Sequence, residues 1–283
     1  MQNKWRDRLL TVLAGLSVAL LVGAVGWLLV DLVWRGWPGL SWSFLFEQPR
    51  DAGRAGGISS ILVATGLILL VALATALPLA LASAIGLNEY TRAGGRLGQW
   101  TRLSLDILAG VPSIVFGLFG YAFFGLFLGL GYSILSGGLT LACMILPILI
   151  RTIEQGLAAQ GDDWRQAGAA LGMSRASLLW QVLLPVSAPA IATGTLLGMG
   201  RASAETAALL FTSGYVDRMP EGLSDSGRAL SVHIYDLAMN VSGGDAAAYS
   251  AALVLIMLIV LINGLTLGAS RVWMRKRVSD GYY

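Results

Sequence analysis

Cysteine, histidine and charge are all scarce in this chain of 283 residues. It has one cysteine, Cys143, one histidine, His233, and two lysines, Lys4 and Lys276, and charged residues of every kind make up 12%. A single cysteine closes no disulfide within the chain, and with one histidine it assembles no zinc site. Neither lysine follows a glycine-rich loop, so the chain has no P-loop with which to hold ATP. Ordinary soluble domains carry about 25% charged residues. A 12% share, with 56% hydrophobic residues and a mean hydropathy of +0.72, excludes that class. The apolar residues lie in long blocks rather than periodic stripes, the pattern of an all-α polytopic membrane protein.

Six blocks reach the roughly 20 apolar residues that a spanning helix needs. They are Leu9–Trp34, Ser59–Leu87, Leu105–Leu130, Ile134–Ile150, Pro189–Thr212 and Tyr249–Val272. The first is too long for the core of a cleaved signal, and no small-residue cleavage site follows it. Glycines between the third and fourth predict a tight hairpin. Lysine and arginine then orient the bundle. Thirteen cations fall on one side, at Lys4, Arg6, Arg8, Arg92, Arg96, Arg102, Arg151, Arg165, Arg175, Arg271, Arg275, Lys276 and Arg277. Five fall on the other, at Arg35, Arg50, Arg54, Arg218 and Arg228. This asymmetry predicts both termini in the cytoplasm. It also accounts for the net charge of +3 without a nucleic-acid partner. The chain divides into 1–58 (N-terminal segment, first span and first outer loop), 59–272 (the transmembrane domain, including a cytoplasmic loop 151–185) and a tail 273–283. The acidic outer stretch Asp217–Asp245 reads either as a solvated loop or as a docking surface for a periplasmic partner.

Two segments carry more information than their hydropathy. In the loop 151–185, Asp163 followed by Gln166 has the form of a capping box. A helix Trp164–Leu171 would follow, stopped by Gly172. Ser174 would cap a second helix, Arg175–Leu184, ended by Pro185. Small Ala167 and Gly168 leave a smooth surface, so the loop reads as a rigid helix–Gly–helix elbow. In the fifth block, Arg201 and Glu205 are four apart, which on a helix places them on one face and lets them neutralise each other. Ser203 and Thr206 add hydroxyls. An intramembrane arginine usually faces a bundle interior or a watery path, and its planar donors suit an oxyanion. The pair would line or gate the pathway, or would fix helix packing alone.

The order Gln166-Ala167-Gly168, three residues, Gly172, nine residues, Val182, one residue, Leu184-Pro185 resembles the cytoplasmic "EAA" loop of binding-protein-dependent ABC importer permeases. The segment Arg201–Thr212 is similar to the fifth-helix region of the phosphate-specific branch, of PstA type. Gly56–Ile58, Gly110–Gly117 and Leu146–Arg151 agree with that branch. Ala204 and Ala208 replace a glycine and a proline, which predicts a straighter helix, and Gln166 replaces the loop's glutamate. The resemblance implies a type I importer permease fold and phosphate import by alternating access. It also implies Asp163, Gln166, Ala167, Gly168, Gly172, Leu184 and Pro185 as the elbow that docks an ATPase. The implied partners are a second permease (PstC type), two ATP-binding subunits (PstB type) that hold ATP and magnesium, a periplasmic phosphate-binding protein (PstS type), and membrane lipid. No metal, cofactor or catalytic residue is implied in this chain. The alternatives are a permease for molybdate, sulfate or phosphonate and a secondary transporter. An intramembrane enzyme would need clustered ionisable groups, and beyond Arg201 and Glu205 the blocks hold mainly Asp31 and Asp106 near their ends.

Overall fold

The computed structural model describes residues 4–91 and 95–279; Arg92 and the last four residues of the tail lie outside them. Helix α1 (Lys4–Gly36) is apolar on every side, and its hydrophobic window is wholly exposed, as a helix surrounded by lipid requires. A short capped turn, α2 (Trp42–Phe46), and a two-residue hairpin, Pro49–Arg50 with Ala55–Gly56, lead into α3 (Ser59–Ile85). Helix α3 runs on through a wide turn, Gly86–Tyr90. Next come α4 (Arg96–Ala109), α5 (Ser113–Gly120), extended by another wide turn to Phe127, and α6 (Ile134–Ala158).

Helix α6 is the hub of the bundle. Helix α3 turns a row of small side chains, Ala72, Ala76, Ala80 and Ala84, into the buried core. Gly138 of α6 lies so close to α3 that a β-carbon there would sit 2.5 Å from Val71. Lipid offers apolar helices no hydrophobic reason to associate, so close van der Waals contact between small residues holds them together.

Among the described residues, four helices are long and apolar enough to span a membrane, and six spans result if each of two bent pairs is one. The third block is one of those pairs. Instead of a single helix it bends by 100° between Arg96–Ala109 and Ser113–Phe127. Pro112 explains the break, since it disfavours helix at Val111 and lacks a backbone donor. Charges stitch α4 onto the bundle. Arg102 Nε donates to Glu154 Oε1 at 2.6 Å, and Arg102 also reaches the Leu87 carbonyl at the end of α3. Arg151 pairs with Asp106 through two bonds, of 3.0 and 2.9 Å, and with Glu154 at 3.3 Å.

At the opposite end, Asp217–Asp245 is a solvated loop only in part: residues 221–224 are exposed, whereas the stretch that follows turns back onto the bundle. Leu230–Met239 is a helix, here α12, whose Leu230, Ser231, Val232, His233 and Leu237 are buried. The Leu230 amide donates to Thr65 Oγ1 of α3 at 2.8 Å, and the Ile134 amide to the Asp225 carbonyl at 2.8 Å. His233 lies beneath the hairpin turn, 2.6 Å from where a β-carbon on Gly53 would stand, and neither ring nitrogen has a hydrogen-bond partner among the described residues. Burial, then the nearby Arg228 cation, pull its pKa from 6.5 to about 4, against weaker opposing pulls from Asp236 and Asp217.

Two tests follow from these contacts. Replacing Glu154 by Ala leaves Arg102 without its carboxylate and costs about 2 kcal/mol; the melting temperature in detergent should fall, and an unchanged value would contradict the packing described. Between pH 6.5 and 4 the unfolded chain protonates His233 and the folded chain does not. Stability at this end is therefore lost as pH falls, by about 2 kcal/mol at pH 5. Amide protection factors over 230–239, taken relative to the intrinsic exchange rate at each pH, should fall from pH 7 to 5, and His233→Phe should remove that dependence.

Candidate functional site

The elbow forms from two short helices, α7 (Asp163–Ala170) and α8 (Arg175–Leu178). The expected capping box is absent. Asp162 occupies the cap position with helical angles and makes no side-chain cap bond, so Asp163 is the first residue inside the helix. Gln166 donates its backbone amide to the Asp162 carbonyl at 2.9 Å. The C-terminal stop is as expected. Gly172 is left-handed at φ +68°, its amide bonds the Ala169 carbonyl, and the Met173 amide bonds the Gly168 carbonyl. This double closure satisfies the last carbonyls of α7. Ser174 caps α8 by accepting from the Ser177 amide at 3.1 Å. Gly168 is buried against Leu178, where a β-carbon would stand 2.8 Å away. Asp163, Gln166 and Ala167 are exposed, and Leu171 is 79% exposed.

Pro185 does not end the second arm. A wide turn, Leu179–Leu183, carries the chain into α9 (Leu184–Val186), which holds Pro185 in its first turn, where its missing donor does least harm. Leu184 is buried in the core. The chain then bends by 63° and enters α10 (Ala188–Ser203), which packs along α6 through Gly194 and Gly198.

The fifth block, which begins just after that bend, is itself broken. Helix α10 stops at Ser203, and α11 (Ala207–Thr212) starts after a non-helical gap at 204–206. The expected straight helix is therefore interrupted within its polar run, despite alanine at 204 and 208. Arg201 and Glu205 form no ion pair. Glu205 instead turns forward, its Oε1 accepting from the Ala208 amide at 3.1 Å, while its backbone carbonyl accepts from Ser231 Oγ of α12 at 2.6 Å. Ser203 Oγ is buried and spent on the Met199 carbonyl at 2.7 Å. Thr206 caps α11 by position, with no side-chain cap bond. Arg201, half-buried in the last turn of α10, has no hydrogen-bond or ion-pair partner among the described residues. Gly198, one turn before it, lies against Ile145 and Leu149 in the middle of α6, so this guanidinium stands near mid-depth.

The remaining contacts of the elbow were not foreseen. Arg165 on α7 reaches Glu89, at the end of α3, through bonds of 2.6 and 3.3 Å, and donates to the Gly161 carbonyl at 2.6 Å. The bond to Glu89 raises the guanidinium pKa, outweighing partial burial. Beside this pair is a cavity of about 600 Å³ lined by Asn88, Glu89, Asp162, Arg165, Met173 and Arg175.

A multi-helix membrane bundle bearing a rigid elbow and an intramembrane arginine defines a transport component. The chain belongs to the family of inner-membrane components of binding-protein-dependent transport systems, which matches residues 76–271. A probable ABC transporter permease of Bacillus subtilis, YqgI, is 29% identical over 280 residues, covering 93% of this chain and 94% of that one. The phosphate transport system permease PstA 1 of Mycobacterium tuberculosis is 32% identical over 243 residues, covering 84% of this chain and 79% of that one. An inward-facing structure of the MetNI methionine ABC transporter superposes with a TM-score of 0.58 at 16% identity, covering 77% of this chain and 94% of that chain. The fold is thus that of a type I ABC importer permease, as expected.

Valine at 172 would be forced into a left-handed backbone at a cost of about 1–3 kcal/mol. Gly172→Val should speed amide exchange across 163–178; unaltered exchange would show that the double closure does not hold the elbow.

Proposed function

We propose that this permease carries inorganic phosphate from periplasm to cytoplasm, driven by a separate ATPase docked on the elbow. The observation that carries this reading is the unpartnered Arg201 guanidinium at a mid-depth break in the helix. An arginine there costs several kcal/mol unless water or an anion meets it. Its planar donors match a phosphate oxygen pair. The relatives named as phosphate transport permeases support the choice of anion.

In this scheme a second permease of PstC type supplies the other half of the pathway. A PstS-type binding protein delivers phosphate to the end that carries α12. Two PstB-type subunits bind ATP and magnesium, and the elbow faces them with both termini in the cytoplasm. Closure of the ATPases moves the elbow, the bend at Ser187 passes that movement to α10, and Arg201 changes its access from one side to the other. The exposed positions Asp163, Gln166 and Ala167 form the docking face. Gly168, Gly172, Leu184 and Pro185 shape it from behind. Glu205 and Thr206 set the break, and this chain itself binds no cofactor.

The test is ATP-dependent uptake of labelled phosphate by the reconstituted complex. Arg201→Ala should assemble normally yet reduce uptake to about a tenth or less, as loss of one charge-assisted contact implies. Undiminished uptake would remove Arg201 from the pathway. Uptake of sulfate or molybdate in place of phosphate would assign a different oxyanion.

A further inference from the structure

The two arms of the elbow reach the bundle differently: α8 by its chain connection and by Leu178, which is buried in the core, and α7 by a contact across space. Along the chain, α8 passes through the wide turn Leu179–Leu183 and the 63° bend into α10. Across space, α7 makes few close backbone approaches to any other helix. Apart from Gly168, which packs against Leu178 of α8, it borders the 600 Å³ cavity, and Arg165 crosses to Glu89 there. Both side chains of that pair are largely withdrawn from solvent, at 25% and 18% exposed. Glu89 lies in the turn that ends α3, and Arg102 holds the carbonyl of Leu87 in the same turn while pairing with Glu154 of α6. A pull on Arg165 is therefore delivered to the end of α3, where that helix is already tied to α4 and α6.

Resting on the functional reading above, we propose that Glu89 is a positioning residue whose ion pair with Arg165 is the strut that makes α3 follow the elbow. The wide turn in the covalent route is the deformable part of the path. An elbow linked to the bundle only through α8 and this turn would move α10 and leave α3 behind. Since α3 carries the alanine row against α6, the two helices have to move together for the pathway to open at the elbow end. Gln166 has no charge with which to anchor the elbow, so within α7 the ionic link to the bundle falls to Arg165.

The experiment uses the assembled complex in proteoliposomes, with phosphate as substrate, and three readouts. These are copurification of the ATPase, its hydrolysis rate, and phosphate taken up per ATP hydrolysed. Glu89→Gln keeps the size and loses the charge. The expected result is a complex that assembles and hydrolyses ATP while uptake per ATP falls about tenfold, the effect of losing about 1.4 kcal/mol of coupling. Glu89→Asp, which retains the carboxylate, should recover a substantial part of it. Unchanged uptake per ATP in Glu89→Gln would overturn the strut. So would loss of the ATPase from the complex, because the pair would then hold the docking face rather than transmit its motion. Failure of the unaltered chain to copurify with any ATPase would overturn the functional reading, and the strut with it.

Discussion

The close approach of helices to α6 is the constraint on which the rest depends. A membrane gives apolar helices no hydrophobic reason to associate, so surfaces of alanine and glycine are what let α3 and α10 lie against one hub. The same closeness leaves no room for a β-carbon at Gly138, against Val71 of α3, or at Gly156, against Ala190 of α10. It fixes where the loops emerge, and therefore where the elbow stands. The outer helix α1, covered by no other part of the chain over most of its length, is free of this constraint and reads as lipid-facing.

Charge is confined to places where the packing allows it. The pairs Arg102–Glu154, Arg151–Asp106 and Arg165–Glu89 cluster at the elbow end, where each ties one helix to another. Arg228 pairs with Asp236 at the opposite end. Between them stands Arg201, in the last turn of α10 just before the break at 204–206, without a partner among the described residues. With Arg102, Arg151, Arg165 and Arg228 all paired at the two ends, this unpaired charge near mid-depth is the feature on which the proposed role of Arg201 rests.

Hydropathy made the apolar blocks legible, because the free energy of a block in lipid depends on composition and length; among the described residues four of them are single spanning helices, and the count reaches six only if each bent pair is one span. The left-handed stop at Gly172 and the Ser174 cap were equally legible, since each is set by one residue and its nearest neighbours. The bends were not. Pro112 marks the first, but hydropathy averages across it and joins α4 to α5. The gap at 204–206 carries neither glycine nor proline. It is stabilised from outside the segment, by Ser231 of α12 holding the Glu205 carbonyl, and no local pattern records that. The helical spacing of Arg201 and Glu205 therefore suggested a pair that the break separates. Glu89 and Arg165 are 76 positions apart, and Arg102 and Glu154 are 52 apart, so only the packed bundle reveals that they meet.

The central claim is that this chain works as one wall of an ATP-driven assembly whose motor grips the elbow. The most direct measurement is isolation of the tagged chain from its native membrane in mild detergent, with its companions identified by mass spectrometry. The account predicts an ATP-binding subunit and a second multi-span permease in stable association. Recovery of the chain alone, repeatedly and without an ATPase, would contradict it and point to a carrier driven by an ion gradient.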